Sequence, residues 1–344
     1  MRMRVLVLGV ALMLAACSPQ VQDFTQPDPN FHPAGDGMYA VDGVELPHRK
    51  WLPKQKRYRN SPKAVVLALH GFNDYSRAFE STGEFLSAKG IAVYAYDQRG
   101  FGNGPERGIW AGEENLLRDV TQAVKQLQAR YPKAPIYLLG ESMGGAVAIA
   151  AASQPDFPEL GGVILAAPAV WGSEAMNPVF RGTLWLAAHT MPYQRFTGSD
   201  LKVIASSNFA MLRTMAADPL VIKKTRVDAV YGVVGMMGSA YDRVPFLKAP
   251  VLLLYGAQDQ VIPASPVEET LARFTQPVTY AYYPLGFHML LRDLQAERVL
   301  NDVAAWIQDP EAELPSGFSQ RHEPFAPVHF KHYPSPLVKI KPHN

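Results

Sequence analysis

Cysteine is nearly missing from this sequence: Cys17 is the only one in 344 residues. Neither an internal disulfide nor a cysteine-based metal site can form, so the fold must hold by packing. Net charge is also small, with 33 Lys and Arg against 31 Asp and Glu and no run of basic residues. A chain without that electrostatic footprint is no candidate for binding nucleic acid, which depends on neutralising phosphates. Long apolar runs are absent too. The stretch Val5 to Ala16 spans roughly 18 Å, against about 30 Å of hydrocarbon core, which disfavours a permanent transmembrane helix. No internal repeat is present. What remains, with 48% hydrophobic and 19% charged residues, is the composition of an ordinary folded protein large enough to bury a substantial core.

The first seventeen residues read as an address. Arg2 and Arg4 precede the apolar stretch, which stops at Cys17, the pattern of a signal peptide. Leu14-Ala15-Ala16-Cys17 resembles a bacterial lipoprotein box, in which cleavage precedes the cysteine and the cysteine carries lipid. Cys17 is then the lipidation site, and Ser18 after it resembles the outer-membrane sorting pattern. The expectation is a protein of the bacterial cell envelope, lipid-anchored at the outer membrane and facing the periplasm. A plain secretory signal would instead leave a soluble periplasmic or secreted chain. Removal of residues 1–17 leaves 31 basic against 31 acidic residues. Residues 18–35, with Pro19, Pro27, Pro29 and Pro33, read as a stiff tether.

Beyond residue 63 short aliphatic runs alternate with amphipathic stretches. Strands are expected over 64–70, 91–96, 136–139, 163–166, 251–255 and 278–283, and helices over 76–89, 115–131, 146–153, 265–274 and 292–308. This alternation predicts an α/β fold with a mostly parallel central sheet and helices on both faces. Residues 36–168 and 246–310 form that core. Between them, 169–245 has no clear buried strand and reads as an inserted helical cap, with helix-like segments over 179–188 and 229–237. It holds six of the twelve methionines, suited either to packing the cap itself or to meeting variable apolar partners. After Asp309-Pro310 periodicity stops. The 311–344 tail is rich in proline and contains His322, His329, His332 and His343, whose spacing matches no ligand pattern; it reads as extended surface chain or disorder.

Three positions carry chemistry. Gly140-Glu141-Ser142-Met143-Gly144 has the form Gly-x-Ser-x-Gly between an expected strand and an expected helix, which is a nucleophile elbow. A serine attacks a carbonyl well only when held out on a tight turn beside a base, and small flanking residues let strand and helix pass closely enough for that turn. Base and acid should follow in the order Asp, His, each just after a strand. Asp259 follows the strand over 251–255 and His288 follows the strand over 278–283, so both fall at the carboxyl edge of the sheet with Ser142. Asp242 is the rival acid, but it precedes its strand. His70, ending the first buried strand, suits a structural place in an oxyanion loop, with the backbone N–H groups of Phe72 and Met143 aimed at the developing negative oxygen.

With these residues in place, the sequence resembles the monoacylglycerol lipase and lysophospholipase group of α/β-hydrolases, also called serine aminopeptidase-like hydrolases. Five motifs carry the resemblance in order: His70-Gly71 with Ser76-Arg77; Asp97-Gln98-Arg99-Gly100-Phe101-Gly102; Gly140 to Gly145; Gly256 to Asp259 with Val261; and His288 to Asp293. The family often has His at the positions of Phe101 and Glu141, and Glu at that of Asp293, none of which touches Ser142, Asp259 or His288. The resemblance implies a Ser-His-Asp hydrolase with a helical cap over an acyl pocket and with no cofactor or metal. Asp97 and Arg99 would then brace the loop beside the site. Three functions follow for test: hydrolysis of single-chain esters of the monoacylglycerol or lysophospholipid type, a peptidase or thioesterase on the same triad, or a non-catalytic envelope-binding lipoprotein.

Overall fold

The computed structural model describes residues 18–23, 26, 37–172, 176–198 and 203–331. Cys17 with the leader before it, most of the expected tether and residues 332–344 of the tail, including His332 and His343, lie outside the described residues.

Eight of the described strands form one sheet: β1 (His48–Trp51), β2 (Val65–Leu69), β3 (Ala92–Tyr96), β4 (Ile136–Glu141), β5 (Gly162–Ala166), β8 (Val251–Gly256), β9 (Val278–Tyr283) and β10 (Ser319–His322). Their spatial order is β1-β3-β2-β4-β5-β8-β9-β10, parallel throughout except for the antiparallel edge strands β1 and β10. Two further strands, β6 (Arg195–Thr197) and β7 (Lys224–Arg226), pair only with each other.

The central strands are unbroken apolar runs because both faces of the sheet are covered. Val65, Leu67 and Leu69 of β2 enter one core and Val66 and Ala68 the other, as the two-residue period requires. Two helices, α1 (Glu80–Ala88) and α8 (Ala296–Gln308), cover one face; α2 (Glu113–Arg130) and α3 (Met143–Ala152) cover the other. Trp306 of α8 lies over Gly162, where an added Cβ would come within 2.5 Å of its ring. α3 has nothing but small and apolar residues and is buried all round, because the inserted segment packs on its far side.

That insertion, between β5 and β8, contains α4 (Pro178–Thr190), α5 (Phe209–Ala217), α6 (Val227–Arg243) and the β6–β7 pair. Asn177 caps α4 by accepting from the Val179 N–H at 2.8 Å, with Pro178 in the first helical position. One more helix, α7 (Ala264–Leu271), joins β8 to β9.

The structure moves several expected boundaries. The helix after the elbow starts at Met143 rather than near 146, because Ser142 O already accepts from the Gly145 and Ala146 N–H groups. The last core helix starts at Ala296, since residues 290–292 form a separate 3-10 turn. Two larger differences concern the chain ends. Residues 18–23 do not stand off as a tether but lie against the body: Val21 bridges Trp110 in parallel, and the Gln22 N–H donates to Trp110 O at 2.9 Å. Part of the tail is an edge strand, β10. Beyond it the Phe330 ring stacks on Tyr282 and Tyr255 at 4.5 and 5.3 Å, and its N–H donates to Glu268.

Candidate active site

Register brings the carboxyl ends of the central strands level. Leu69 pairs with Gly140, Glu141 with Ala166, Ala166 with Leu254, and Leu254 with Ala281. The loops that follow these strands therefore open on one edge, where α/β sheets hold their ligands.

Ser142 stands between β4 and α3 with φ 54° and ψ −117°, a strained conformation for a residue with a side chain. The strain persists because the turn is held from both sides. The Ser142 N–H donates to Ala166 O at 3.0 Å and its carbonyl accepts from Ala169 N at 2.9 Å. A Cβ on Gly144 would collide with the Leu69 carbonyl, and one on Gly140 with the Gly144 carbonyl, so glycine is required at both places for helix and strand to cross.

His288 and Asp259 meet as the sequence spacing anticipates. His288 Nδ1 lies 2.8 Å from Asp259 Oδ2, and both side chains are buried. The other carboxylate oxygen, Oδ1, accepts from Val261 N at 2.8 Å and Ile262 N at 3.0 Å, which fixes the acid's orientation. Their loops cross where Gly256 faces Gly286 backbone to backbone, and the Gln258 N–H donates to Gly286 O at 2.9 Å. Burial pulls the His288 pKa down, but the Asp259 charge and hydrogen bond, helped by Glu141, outweigh it and raise the pKa above its ordinary value. The rival acid, Asp242, lies on α6 instead.

Gly71 passes directly beside the serine: a Cβ added to it would sit 3.3 Å from Ser142 Cβ. His70 sets this loop. Its Nδ1 lies 2.9 Å from Gly71 O, and its Nε2 accepts from the Gln98 N–H at 3.0 Å, so the ring is the neutral tautomer protonated on Nδ1. Burial lowers its pKa, in keeping with that state. Met143 is the first residue of α3, and its N–H therefore has no acceptor within the helix. Asp97 accepts from Ser76 N and Asn103 N at 3.0 and 2.8 Å, and Arg99 bonds Asp119 and Asp42, so both brace the neighbouring loop. Asp119 is pushed up to about 6 by burial, against the pull of Arg99.

Arg292 was not singled out by sequence reasoning, yet it ties the whole edge together. Its guanidinium forms ion pairs with Glu141 Oε2, one residue before the serine, and with Asp74 Oδ2 in the loop after β2, each at 2.8 Å. The two carboxylates raise its pKa, although burial acts the other way. Asp293 continues the network, accepting from Phe287 N on one oxygen and from Ser206 and Ser207 of the insertion on the other. A signal existed in the sequence: Glu141 ends a strand that is otherwise apolar, and a carboxylate buried there must have a cation.

Between the insertion and the core lies an open cavity of about 1150 Å³. Its walls include Trp110, Met176, Trp185, Tyr231 and Met236, with Asp242 and Glu113 at the polar side. Trp110 meets the Phe72 ring at 6.4 Å, so one wall of this cavity backs on the loop after β2, while Ser142, Asp259 and His288 themselves do not line it. A glycine, Gly232, is needed on α6 where that helix crosses the Trp110 ring.

Known proteins match this arrangement widely. The family model described as "Serine aminopeptidase, S33" matches residues 60–295. The chain is 26% identical over 278 residues to a monoacylglycerol lipase of Mycolicibacterium smegmatis, covering 78% of this chain and 94% of that one. It is 28% identical over 292 residues to a monoglyceride lipase of Mus musculus, covering 81% and 92%. Among solved structures, the monoacylglycerol lipase of Paleococcus ferrophilus superposes with TM-score 0.64 at 23% identity, covering 77% of this chain and 98% of that one. A soluble variant of the Saccharomyces cerevisiae monoglyceride lipase gives 0.65 at 21% identity, covering 86% and 99%. These superpositions establish the α/β-hydrolase fold.

Proposed function

The chain belongs to the serine aminopeptidase S33 family of α/β-hydrolases, and on that premise we propose that it hydrolyses carboxylic esters of single acyl chains, of the monoacylglycerol or lysophospholipid type. The observation that carries this reading is the buried His288–Asp259 pair, 2.8 Å apart, on the same sheet edge as a strained serine. The relatives named as monoacylglycerol and monoglyceride lipases support the ester and the single chain.

The roles follow from the geometry. Ser142 Oγ attacks the acyl carbonyl while His288 Nε2 takes its proton, and Asp259 holds the Nδ1–H and stabilises the imidazolium. The negative oxygen of the tetrahedral intermediate lies between the Phe72 and Met143 N–H groups, which are held in place before reaction begins. Collapse expels the alcohol, which leaves with the proton from His288. Water then repeats the cycle on the acyl-enzyme and releases the acid. No metal or organic cofactor has a role in these steps.

The inserted segment 169–245 serves as the cap, and the apolar wall of the cavity between it and the core takes the acyl chain; Met176 and Met236, unbranched and polarizable, suit a range of chain lengths. Cys17 carries lipid and anchors the mature chain in the bacterial envelope, at the outer membrane facing the periplasm. This part rests on the sequence pattern at residues 1–18.

Hydrolysis of p-nitrophenyl esters and monoacylglycerols of graded length, with Ser142→Ala in parallel, tests the proposal. Turnover that rises with chain length and vanishes in Ser142→Ala is expected. Wild type no faster than the variant on every ester, with cleavage of aminoacyl amides instead, would assign the same triad to a peptidase.

A further inference from the structure

Residues 18–23 are joined to both halves of the molecule. The Gln20 N–H donates to Asp228 Oδ2 at 3.1 Å, and Arg226 Nη2 donates to Gln20 Oε1 at 3.0 Å, both at the start of α6 in the insertion. On the core side Gln22 is buried, and its amide donates to the carbonyls of Pro105 and Ile109 at 3.1 and 3.2 Å. Pro19, just before Gln20, and Val21, between the two glutamines, line the same cavity as Trp185. Side-chain bonds at alternate residues are not what a free-running tether needs; they hold a short strap in one place.

Position matters here because of what precedes the strap. Only Ser18 separates Cys17 from Pro19, so two steps of chain, about 7 Å, are the furthest that Cys17 can start from Pro19 in the cavity wall. The surface beside it is apolar. Val179, Phe180, Trp185 and Leu186 of α4 are between 52% and 75% exposed, and Tyr193 and Phe196 are 55% and 57% exposed. This patch is continuous with the strap: Trp185 shares the cavity with Pro19 and Val21, and Arg226, which holds Gln20, lies over the Tyr193 ring at 4.7 Å. Exposed Arg195 and Lys224 on the β6–β7 pair flank it with positive charge. Aromatic and aliphatic side chains rimmed by basic ones fit an anionic bilayer surface. A single lipid chain binds membranes only marginally, so a second contact at the same place has physical value.

We propose that residues 18–23 are an orienting strap, which sets the lipid of Cys17 at the rim of the acyl cavity and lays the apolar face of α4 and β6 on the bilayer. The cavity then draws acyl chains from the leaflet that holds the anchor. This inference rests on the proposed lipidation of Cys17, and for its kinetic consequence on the proposed esterase.

The test uses the mature lipidated chain in phosphatidylethanolamine/phosphatidylglycerol vesicles containing brominated lipid. Two variants loosen the strap without touching the triad or its surroundings: a flexible insert of about 20 Gly and Ser residues after Ser18, and the pair Q20A/Q22A. One readout is bromine quenching of the fluorescence lost in W185F; the other is the rate on vesicle-borne long-chain monoacylglycerol relative to soluble p-nitrophenyl butyrate. Wild type should show strong quenching, at least halved in both variants, and a relative rate at least about fivefold above theirs, with butyrate turnover unchanged. Equal quenching and equal relative rates in all three proteins overturn the strap, as does a mature chain whose Cys17 carries no lipid mass. Quenching that behaves as expected in a protein hydrolysing neither ester upholds the orientation and overturns the esterase alone.

Discussion

Core and insertion use apolar side chains in opposite ways. In β2, β3, β4, β5 and β8 every residue is buried, whereas α5 buries none and α4 only Ala188. A side chain packed on all sides has one position, and a group bonded to such a framework inherits that precision. Ser142, Asp259 and His288 all hang from the buried strands. Within the insertion α6 is the buried helix, whereas α4 and α5 gain little from packing and leave their apolar side chains at the surface, as the proposed contact with acyl chains and lipid requires. The insertion's ties to the candidate site are of two kinds: α6 packs on α3, the helix that follows Ser142, and polar bonds join Asp293 to Ser206 and Ser207 and Met289 N to Ala205 O at 2.9 Å.

The largest effect belongs to the framework. Ser142→Ala should lower ester turnover by about 10⁴-fold or more while leaving thermal unfolding nearly unchanged. Ser142→Gly, equally inactive, should be the more stable of the two by about 1 kcal/mol, since glycine accepts the positive φ without strain; parallel calorimetry of the two variants decides this.

Asp259→Asn comes next, with an expected fall of roughly 10⁴ in kcat. Its pH profile is the sharper readout. The proposed mechanism needs neutral His288, so kcat/KM should fall as pH drops through the His288 pKa, which Asp259 holds above the ordinary value. Removing the charge should therefore move the acid limb of the residual activity to lower pH. A limb that stays in place would detach the pair from catalysis.

Arg292→Met separates structure from chemistry. It leaves Glu141 and Asp74 buried without their cation and should cost about 3–5 kcal/mol in urea unfolding. Adding E141Q and D74N should restore at least half of that loss. Without such recovery the network is not what Arg292 supplies.

The smallest effect tests the contrast itself. Leu67→Ala in β2 should cost about 2–5 kcal/mol, as for any buried leucine truncated in a packed core. Leu186→Ser on α4, 55% exposed, should change stability by less than about 0.5 kcal/mol while weakening retention on vesicles. Similar losses of stability in both would erase the distinction between the regions.

Legibility in the sequence followed the same division. Central strands and their flanking helices were readable because burial on both faces forces continuous apolar runs, and the elbow because its glycines are sterically required. Edge strands β1 and β10, with sequences His-Arg-Lys-Trp and Ser-Gln-Arg-His, show no alternation, since at a sheet edge only pairing with one neighbour defines them. The β6–β7 pair, three residues each, is too short for any period to appear. Among site residues, Ser142, Asp259 and His288 announced themselves by following strands. The ion network did not, because Asp74, Glu141 and Arg292 are far apart in sequence and meet only when the strands align. The contacts of residues 18–23 were hidden for a different reason: Pro19 and the prolines that follow at 27, 29 and 33 suggest free extended chain, while Gln20 and Gln22 make bonds that composition does not reveal.

The most direct test of the central claim, a buried-strand framework presenting Ser142 as the nucleophile, is labelling with an alkyl fluorophosphonate followed by peptide mass mapping. One adduct is expected, on the peptide containing Ser142, and none on that peptide in Ser142→Ala. An adduct on another residue, or none while ester turnover persists, would contradict it.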